Sequence, residues 1–230
     1  MLLHGYAPAI LQGLGSTLAV AAASLAIACV FGLAGALARL YGARPLRWLA
    51  DIYTTLIRGL PELVLMLFVF YGGQYALNAV AEWAGATQPP EVPPFAAGVL
   101  TIGFVYGAYL AETFRGAILA IPRGQVDAAL ACGYSHALLV RRIVLPQMVR
   151  HAIPGFTNNW LVLVKATALV SVIGLDDMVH RAELAAASTR EPFTFYAAVA
   201  LLYLGITTVS IAALAWLERR YSLGVQRVHF

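Results

Sequence analysis

The N-terminal part of the chain contains an uncharged stretch long enough to cross a membrane. No Asp, Glu, Lys or Arg occurs between His4 and Arg39, and most of the side chains between them are apolar. A helix needs about twenty apolar residues to cross the hydrocarbon core of a bilayer. The pattern predicts a membrane-spanning helix at about residues 13–37, because the apolar run is too long for a cleaved signal peptide.

Four further apolar segments predict four more spans. They are expected at about residues 53–81 (with residue 63 as the other possible start), 95–113, 153–175 and 193–217, and Lys165 lies near the middle of the fourth. Charged residues make up only 11% of the chain, which is well below the share in soluble domains. The predicted fold class is therefore an all-α membrane protein with five transmembrane helices, folded as one domain over residues 1–230.

The arginines predict the orientation of these spans. With the N-terminus outside, 12 of the 15 basic residues lie in cytoplasmic segments, whereas only Arg181 and Arg190 lie outside. Cytoplasmic loops are rich in Lys and Arg, so the N-terminus is expected outside and the C-terminus inside. The cytoplasmic set comprises Arg39, Arg44, Arg47, Arg58, Arg115, Arg123, Arg141, Arg142, Arg150, Arg219, Arg220 and Arg227.

The segment at about residues 120–150 is polar and is predicted to form a helical hairpin in the cytoplasm. A helix at Gln125–Cys132 would end at Gly133, which suits a left-handed helix stop. Ser135 would cap a second helix up to Leu145, and Pro146 would end or kink it. The residues alone leave open a docking element, an amphipathic linker on the lipid surface, or a DNA-binding helix-turn-helix. Membrane anchors on both sides argue against the last.

The spacing within this segment resembles the EAA loop of ABC-importer permeases. That pattern is Glu-Ala-Ala, three residues, Gly, nine residues and Ile-x-Leu-Pro, and here Asp127 replaces the leading Glu. The resemblance implies a coupling helix that sits in a cleft of an ATP-binding subunit. The residues it assigns to this contact are Asp127, Ala128, Ala129, Gly133, Ile143, Leu145 and Pro146.

Other segments are similar to the polar amino-acid uptake permeases, in particular those for histidine, lysine, arginine and ornithine. These are YTTLIRGLPELVLMLFVFYG, YGAYLAETFRGAI, KATALVSVIGL and LERRYSLGV. The resemblance implies a subunit in a bacterial inner membrane, with two ATP-binding subunits, a second permease subunit (a paralogue) and a periplasmic substrate-binding protein. The chain has no Gly-x-x-x-x-Gly-Lys-[Ser/Thr] loop, catalytic motif or metal motif. It is therefore expected to bind no cofactor, while its partners bind ATP and Mg.

Several polar residues are candidates for a substrate path. Glu62 follows Arg58-Gly59-Leu60-Pro61, a pattern that resembles the basic amino-acid subgroup, although an acid also suits the start of a helix. The other candidates are Asn158, Asn159, Lys165 and Thr167. Lys165 could equally be an interhelical pairing partner, and the asparagines could bond between helices. Glu112 and Arg115 are spaced for a structural ion pair on one helical face.

Two other classes of function remain. An ion-coupled secondary transporter would need several acidic residues inside the membrane. A scaffold subunit would have no use for an organised cytoplasmic hairpin. The sequence therefore favours the permease of an ABC importer.

Overall fold

The structure is a computed structural model that describes residues 2–85 and 90–221. All the regular secondary structure in these residues is helical. Within the described residues, a short 3₁₀ turn at Leu2–Gly5 is followed by nine α-helices. Their bounds are α1 Ala7–Tyr41, α2 Arg44–Gly59, α3 Glu62–Trp83, α4 Pro94–Leu119, α5 Arg123–Ala131, α6 His136–Leu139, α7 Leu145–Ala166, α8 Met178–Thr189 and α9 Pro192–Tyr221. Within these residues five helical segments are long and apolar enough to cross a membrane, which confirms the predicted all-α, five-span class. Arg227, the end of the LERRYSLGV motif and residues 86–89 of the proline-rich loop lie outside the described residues.

The core of the bundle is α4, which packs along α1 through small residues. A Cβ on Gly103 would lie 2.6 Å from Ile27 of α1, and a Cβ on Gly32 would lie 2.7 Å from Leu110 of α4. Such small residues let two backbones approach closely, which is how helices associate where lipid removes the hydrophobic driving force. The most extensive helix contact of the described residues, between α1 and α4, therefore depends on residues with no side chain.

The second span is not the single helix expected from residue 53. The chain breaks at Leu60 and Pro61, both extended, so that α2 ends at Gly59 and α3 begins at Glu62. Proline has no N–H and disfavours a helical conformation in the residue before it, which accounts for the break. The spanning helix is Glu62–Trp83, which agrees with the expected start near residue 63 and not with the earlier start at residue 53.

The helical segment that contains the fourth span starts before the expected residue 153. Helix α6 passes through a π-helical turn at Val140–Val144 into α7, and a 3₁₀ turn at Thr167–Ile173 follows without a gap. The whole segment has 38 residues, about 57 Å of helix at 1.5 Å per residue, against a hydrocarbon core of about 30 Å. One end of it must therefore project beyond the membrane.

The end of the bundle opposite to α5 is closed by α8, a helix that the sequence did not predict. It lies between spans four and five and packs against α1 and α9, with Met178, Ala182 and Ala185 fully buried. Helix α9 buries only Phe195 and Val199 among the residues described, so most of its surface is left for lipid or for another subunit.

Candidate functional site

The predicted helical hairpin is present, and its first helix ends in a tight turn at Gly133. Helix α5 ends in a Schellman cap, in which Tyr134 N–H donates to Ala129 O at 3.1 Å and Gly133 N–H donates to Leu130 O at 2.9 Å. Gly133 has φ +79°, the left-handed conformation that glycine adopts without strain. Ser135 Oγ then accepts from Leu138 N–H at 3.4 Å and caps the next helix. The EAA-like spacing therefore encodes a tight turn.

The residues of the EAA-like pattern divide between the surface and the interior. Asp127 and Ala128 are exposed on α5, whereas Ala129 is 8% exposed and faces the bundle. Leu145 and Pro146 are also exposed, and Ile143 is half-buried. The pattern thus supplies an outward face for a partner and an inward face that anchors α5.

Of the two outcomes expected at Pro146, an end of the second helix is wrong, whereas a distortion of the helix is present. The helix continues through it, and the π-helical turn Val140–Val144 lies directly before it. In an α-helix the proline ring would collide with the carbonyl group four residues back, and the wider π turn relieves that contact. Gln147 Nε2 donates to Gln125 Oε1 at 2.6 Å and joins the start of α7 to α5. The coupling segment is therefore an extension of the fourth span.

Glu112 and Arg115 form the expected pair, with Arg115 Nη2 2.9 Å from Glu112 Oε2. Two arginines that the sequence analysis counted as loop residues join them. Arg39 of α1 bonds Glu112 and also lies 2.6 Å from Asp51 of α2, while Arg58 Nη1 lies 3.6 Å from Glu112 Oε1. These five residues, which we call the arginine cluster, join α1, α2 and α4.

Glu62 lies at the break between α2 and α3, next to the middle of α4. Tyr106, halfway along α4, donates its hydroxyl hydrogen to Glu62 Oε1 at 3.0 Å. The carboxylate is half-buried, and it caps the positive end of the α3 dipole as expected for an acid in a first turn. Tyr106 is 2% exposed and was missed by the sequence analysis, since nothing in the chain order connects it to residue 62. An ionisable residue in a membrane-spanning helix is a candidate functional residue, and Glu62 belongs to the helix Glu62–Trp83.

The two asparagines of the fourth span have different surroundings. Asn159 Nδ2 donates to Thr113 Oγ1 of α4 at 2.9 Å, one turn after Gly155, whose Cβ would meet Thr113 Cγ2 at 2.8 Å. Asn158 is exposed. Asn159 therefore joins α7 to α4, and only Asn158 faces outward from the single chain.

Lys165 and Thr167, near the end of α7, also differ in their exposure. Lys165 is exposed and forms no ion pair with any residue that the structure describes. Thr167 is 1% exposed, donates to Val164 O at 2.6 Å and lies 3.2 Å from the hydroxyl of Tyr203. Thr167 is thus a core residue of this chain, and its expected place on a substrate path is not supported by its burial.

The start of α8 carries two neighbouring carboxyls outside the spans whose pKa values are shifted in opposite directions. Asp177 is 1% exposed and caps α8 by accepting from His180 N–H at 2.8 Å, and burial raises its pKa above the usual range. Arg181 binds both oxygens of Asp176 at 2.7 Å, which lowers the pKa of Asp176. Arg181 also donates to Ala9 O of α1 at 2.8 Å. These bonds fasten α8 to the start of α1.

Comparison with known proteins identifies the family. Residues 28–223 match the family described as the inner membrane component of binding-protein-dependent transport systems. The chain is 50% identical over 226 residues to the histidine/lysine/arginine/ornithine transport system permease protein HisQ of Salmonella typhimurium, covering 98% of this chain and 99% of that one. It is 39% identical over 223 residues to the octopine transport system permease protein OccQ of Rhizobium meliloti, covering 97% and 94%.

Solved structures agree with this assignment. The fold matches the crystal structure of an amino acid ABC transporter with histidines at a TM-score of 0.79 and 31% identity, over 94% of this chain and 95% of that one. It also matches an inward-facing structure of the MetNI methionine ABC transporter at a TM-score of 0.66, where 15% identity supports the fold alone. The chain therefore belongs to the family of inner membrane components of binding-protein-dependent transport systems, the permeases of ABC importers.

Proposed function

We propose that this chain is a permease subunit that imports basic amino acids, namely histidine, lysine, arginine and ornithine. The observation that carries the proposal is Glu62, a half-buried carboxylate beside the middle of α4 at the break between α2 and α3. Discontinuous helices form substrate sites at the midplane of many transporters, and a carboxylate there favours a cationic side chain. The 50% identity to a permease for these four amino acids supports the same substrate class.

The proposed assembly places the chain in a bacterial inner membrane with its N-terminus outside. Two ATP-binding subunits bind ATP and Mg, and one of them receives the exposed face of α5. A second permease subunit, a paralogue, covers exposed parts of this chain, and a periplasmic binding protein delivers the substrate. The sparse burial of α3 and α9 in the single chain supports an arrangement with further subunits.

Energy transfer would use α5 as a rigid joint. The outward face with Asp127 and Ala128 docks on the ATP-binding subunit, and the bond from Gln147 to Gln125 passes its movement to α7. Because α6, the π turn and α7 are continuous, a displacement of α5 tilts the fourth span.

Replacing Glu62 tests the substrate class. We expect Glu62→Gln to raise the KM for arginine by about tenfold or more, since bonds to charged groups contribute about 1.5–3 kcal/mol. The KM for a neutral polar amino acid should change little. Uptake is measured in proteoliposomes with the complete importer, and Glu82→Gln, an exposed acid on the same helix, is the control. Equal changes for both substrates would remove Glu62 from the substrate path.

Replacing Gly133 tests the coupling role. A β-branched residue at φ +79° is strained by about 1–2 kcal/mol, although no atom lies within 4 Å of the new Cβ. We therefore expect Gly133→Val to reduce uptake per ATP hydrolysed. Gly124→Val is the matched control, because Gly124 lies in α5 with open space around it and no positive φ. Unchanged uptake per ATP in Gly133→Val would contradict the coupling role.

A further inference from the structure

Two groups on α4 that attract cations, the Tyr109 ring and the Glu112 carboxylate, follow Glu62 towards the α5 end of the bundle. Tyr106, bonded to Glu62, has its ring centroid 5.8 Å from that of Tyr109, and Glu112 lies one turn further. Residues three apart are neighbours on a helix surface. From Tyr106 to Glu112 the rise is about 9 Å at 1.5 Å per residue. The chain therefore offers a carboxylate, one half-buried aromatic ring and a second carboxylate in series.

The second carboxylate and the nearer ring already hold a guanidinium. Arg58 has its Cζ 5.3 Å from the centroid of the Tyr109 ring, within the range of a cation–π contact. Its Nη1 lies 3.6 Å from Glu112 Oε1. The Arg58 side chain is 43% exposed, so this position is open to a ligand from outside the chain.

Arg58 is the most loosely held cation of the arginine cluster. Glu112 also bonds Arg39 and Arg115, and the cluster contains three arginines against Glu112 and Asp51. One positive charge is therefore in excess, and the contact of Arg58 at 3.6 Å is the longest of those to Glu112. Arg58 also lies directly before the break at Leu60 and Pro61, where the backbone is not held in a helix.

We propose that the Tyr109 ring and Glu112 form a second binding position for the cationic side chain of the transported amino acid, and that Arg58 occupies it until substrate displaces it. The inference rests on the proposed function, since it requires a cationic substrate that passes Glu62. Arg58 and the substrate then compete for one position. Arg58 therefore acts as a specificity-determining residue. A neutral side chain cannot replace Arg58, because it gains no binding free energy from the Tyr109 ring and the Glu112 carboxylate.

The test is equilibrium binding to the complete importer in nanodiscs without ATP and without the binding protein. Radiolabelled arginine is the probe, and radiolabelled glutamine is the neutral comparison. We expect Arg58→Ala to lower the Kd of arginine by about two- to thirtyfold, the range of a cation–π contact, and to leave that of glutamine unchanged. Arg58→Lys should behave as the wild type. Arg44→Ala, on the same helix, removes an exposed arginine with no ion pair in the described part of the chain and is the control.

Variants of the ring separate competition from a structural effect. Added to Arg58→Ala, Tyr109→Phe should keep the gain in arginine affinity, because phenylalanine retains the ring face, and Tyr109→Leu should abolish it. Arg58→Gln, which keeps the length of the side chain, replaces Arg58→Ala if that variant does not assemble. The proposal would be overturned if Arg58→Ala had the same Kd for arginine as the Arg44→Ala control. It would also be overturned if Arg58→Ala changed the Kd of arginine and the Kd of glutamine by equal factors. Failure of the wild type to import basic amino acids would instead overturn the proposed function.

Discussion

The contact between α1 and α8 gives the sharpest prediction about stability, because it lies against backbone atoms. A Cβ on Gly13 would lie 2.6 Å from Met178 N and 2.7 Å from Asp177 C and O. Ordinary contacts of this kind are about 3.5–4.0 Å, so Gly13→Ala must displace the start of α8 by about 1 Å. That shift would also stretch the 3.4 Å bond from Met178 N–H to Thr17 Oγ1.

Overpacking of this kind costs about 1–3 kcal/mol, which lowers the unfolding midpoint by about 2–12 °C for a chain of this size. Gly15→Ala is the matched control, since it changes the same helix two residues away with nothing within 4 Å of the new Cβ. The midpoint is measured in detergent with a thiol-reactive dye. Cys29, half-buried in α1, reacts only on unfolding, and the exposed Cys132 sets the baseline. Equal midpoints for the two variants would refute the close contact.

Two further predictions concern single polar groups. Burial raises the pKa of Asp177 above its ordinary 3.8, so the folded state favours the neutral carboxyl and stability falls as the pH rises from 3.8 through the folded pKa. Asp177→Asn keeps an oxygen that accepts from His180 N–H and stays neutral at every pH. Its unfolding midpoint relative to that of the wild type should therefore increase from pH 4 to pH 8. A difference between the two midpoints that does not change with pH would contradict this. Asn159→Ala should lose about 0.6 kcal/mol of stability with its bond to Thr113, whereas Asn158→Ala should lose none, and equal losses would show that the bond contributes nothing.

The sequence predicted those parts of the fold that depend on local chemistry. Long apolar runs identified the five spans, and Gly133 and Ser135 identified the turn of the hairpin, because both effects act within a few residues. Glu112 and Arg115 were predictable for the same reason, as neighbours on one helix. The start of α3 was predictable for the same reason, because Pro61 suits the first turn of a helix and Glu62 suits its N-terminus.

The parts that could not be predicted depend on contacts between distant segments. Arg39 is 73 residues from Glu112, and Tyr106 is 44 residues from Glu62, so no pattern of spacing connects them. The burial of Thr167 could not be predicted from the sequence either. A π turn precedes α7 and a 3₁₀ turn begins at Thr167, and both change the number of residues per turn from 3.6. A helical wheel drawn with 3.6 residues per turn throughout therefore places residues beyond these turns on the wrong face of the helix.

Under the proposed function, helix α4 is the element on which coupling and substrate selection would meet. Movement of α5 would reach α7 through the bond from Gln147 to Gln125, and α7 is joined to α4 by the bond from Asn159 to Thr113. Thr113 directly follows Glu112, so the fourth span contacts α4 where the arginine cluster is built. A tilt of α7 that displaces this part of α4 changes the distance between Glu112 and Arg58, since Arg58 belongs to α2 and not to the moving pair. Under the proposed function, the same displacement that follows ATP hydrolysis would decide whether Arg58 or the substrate occupies the Tyr109 ring.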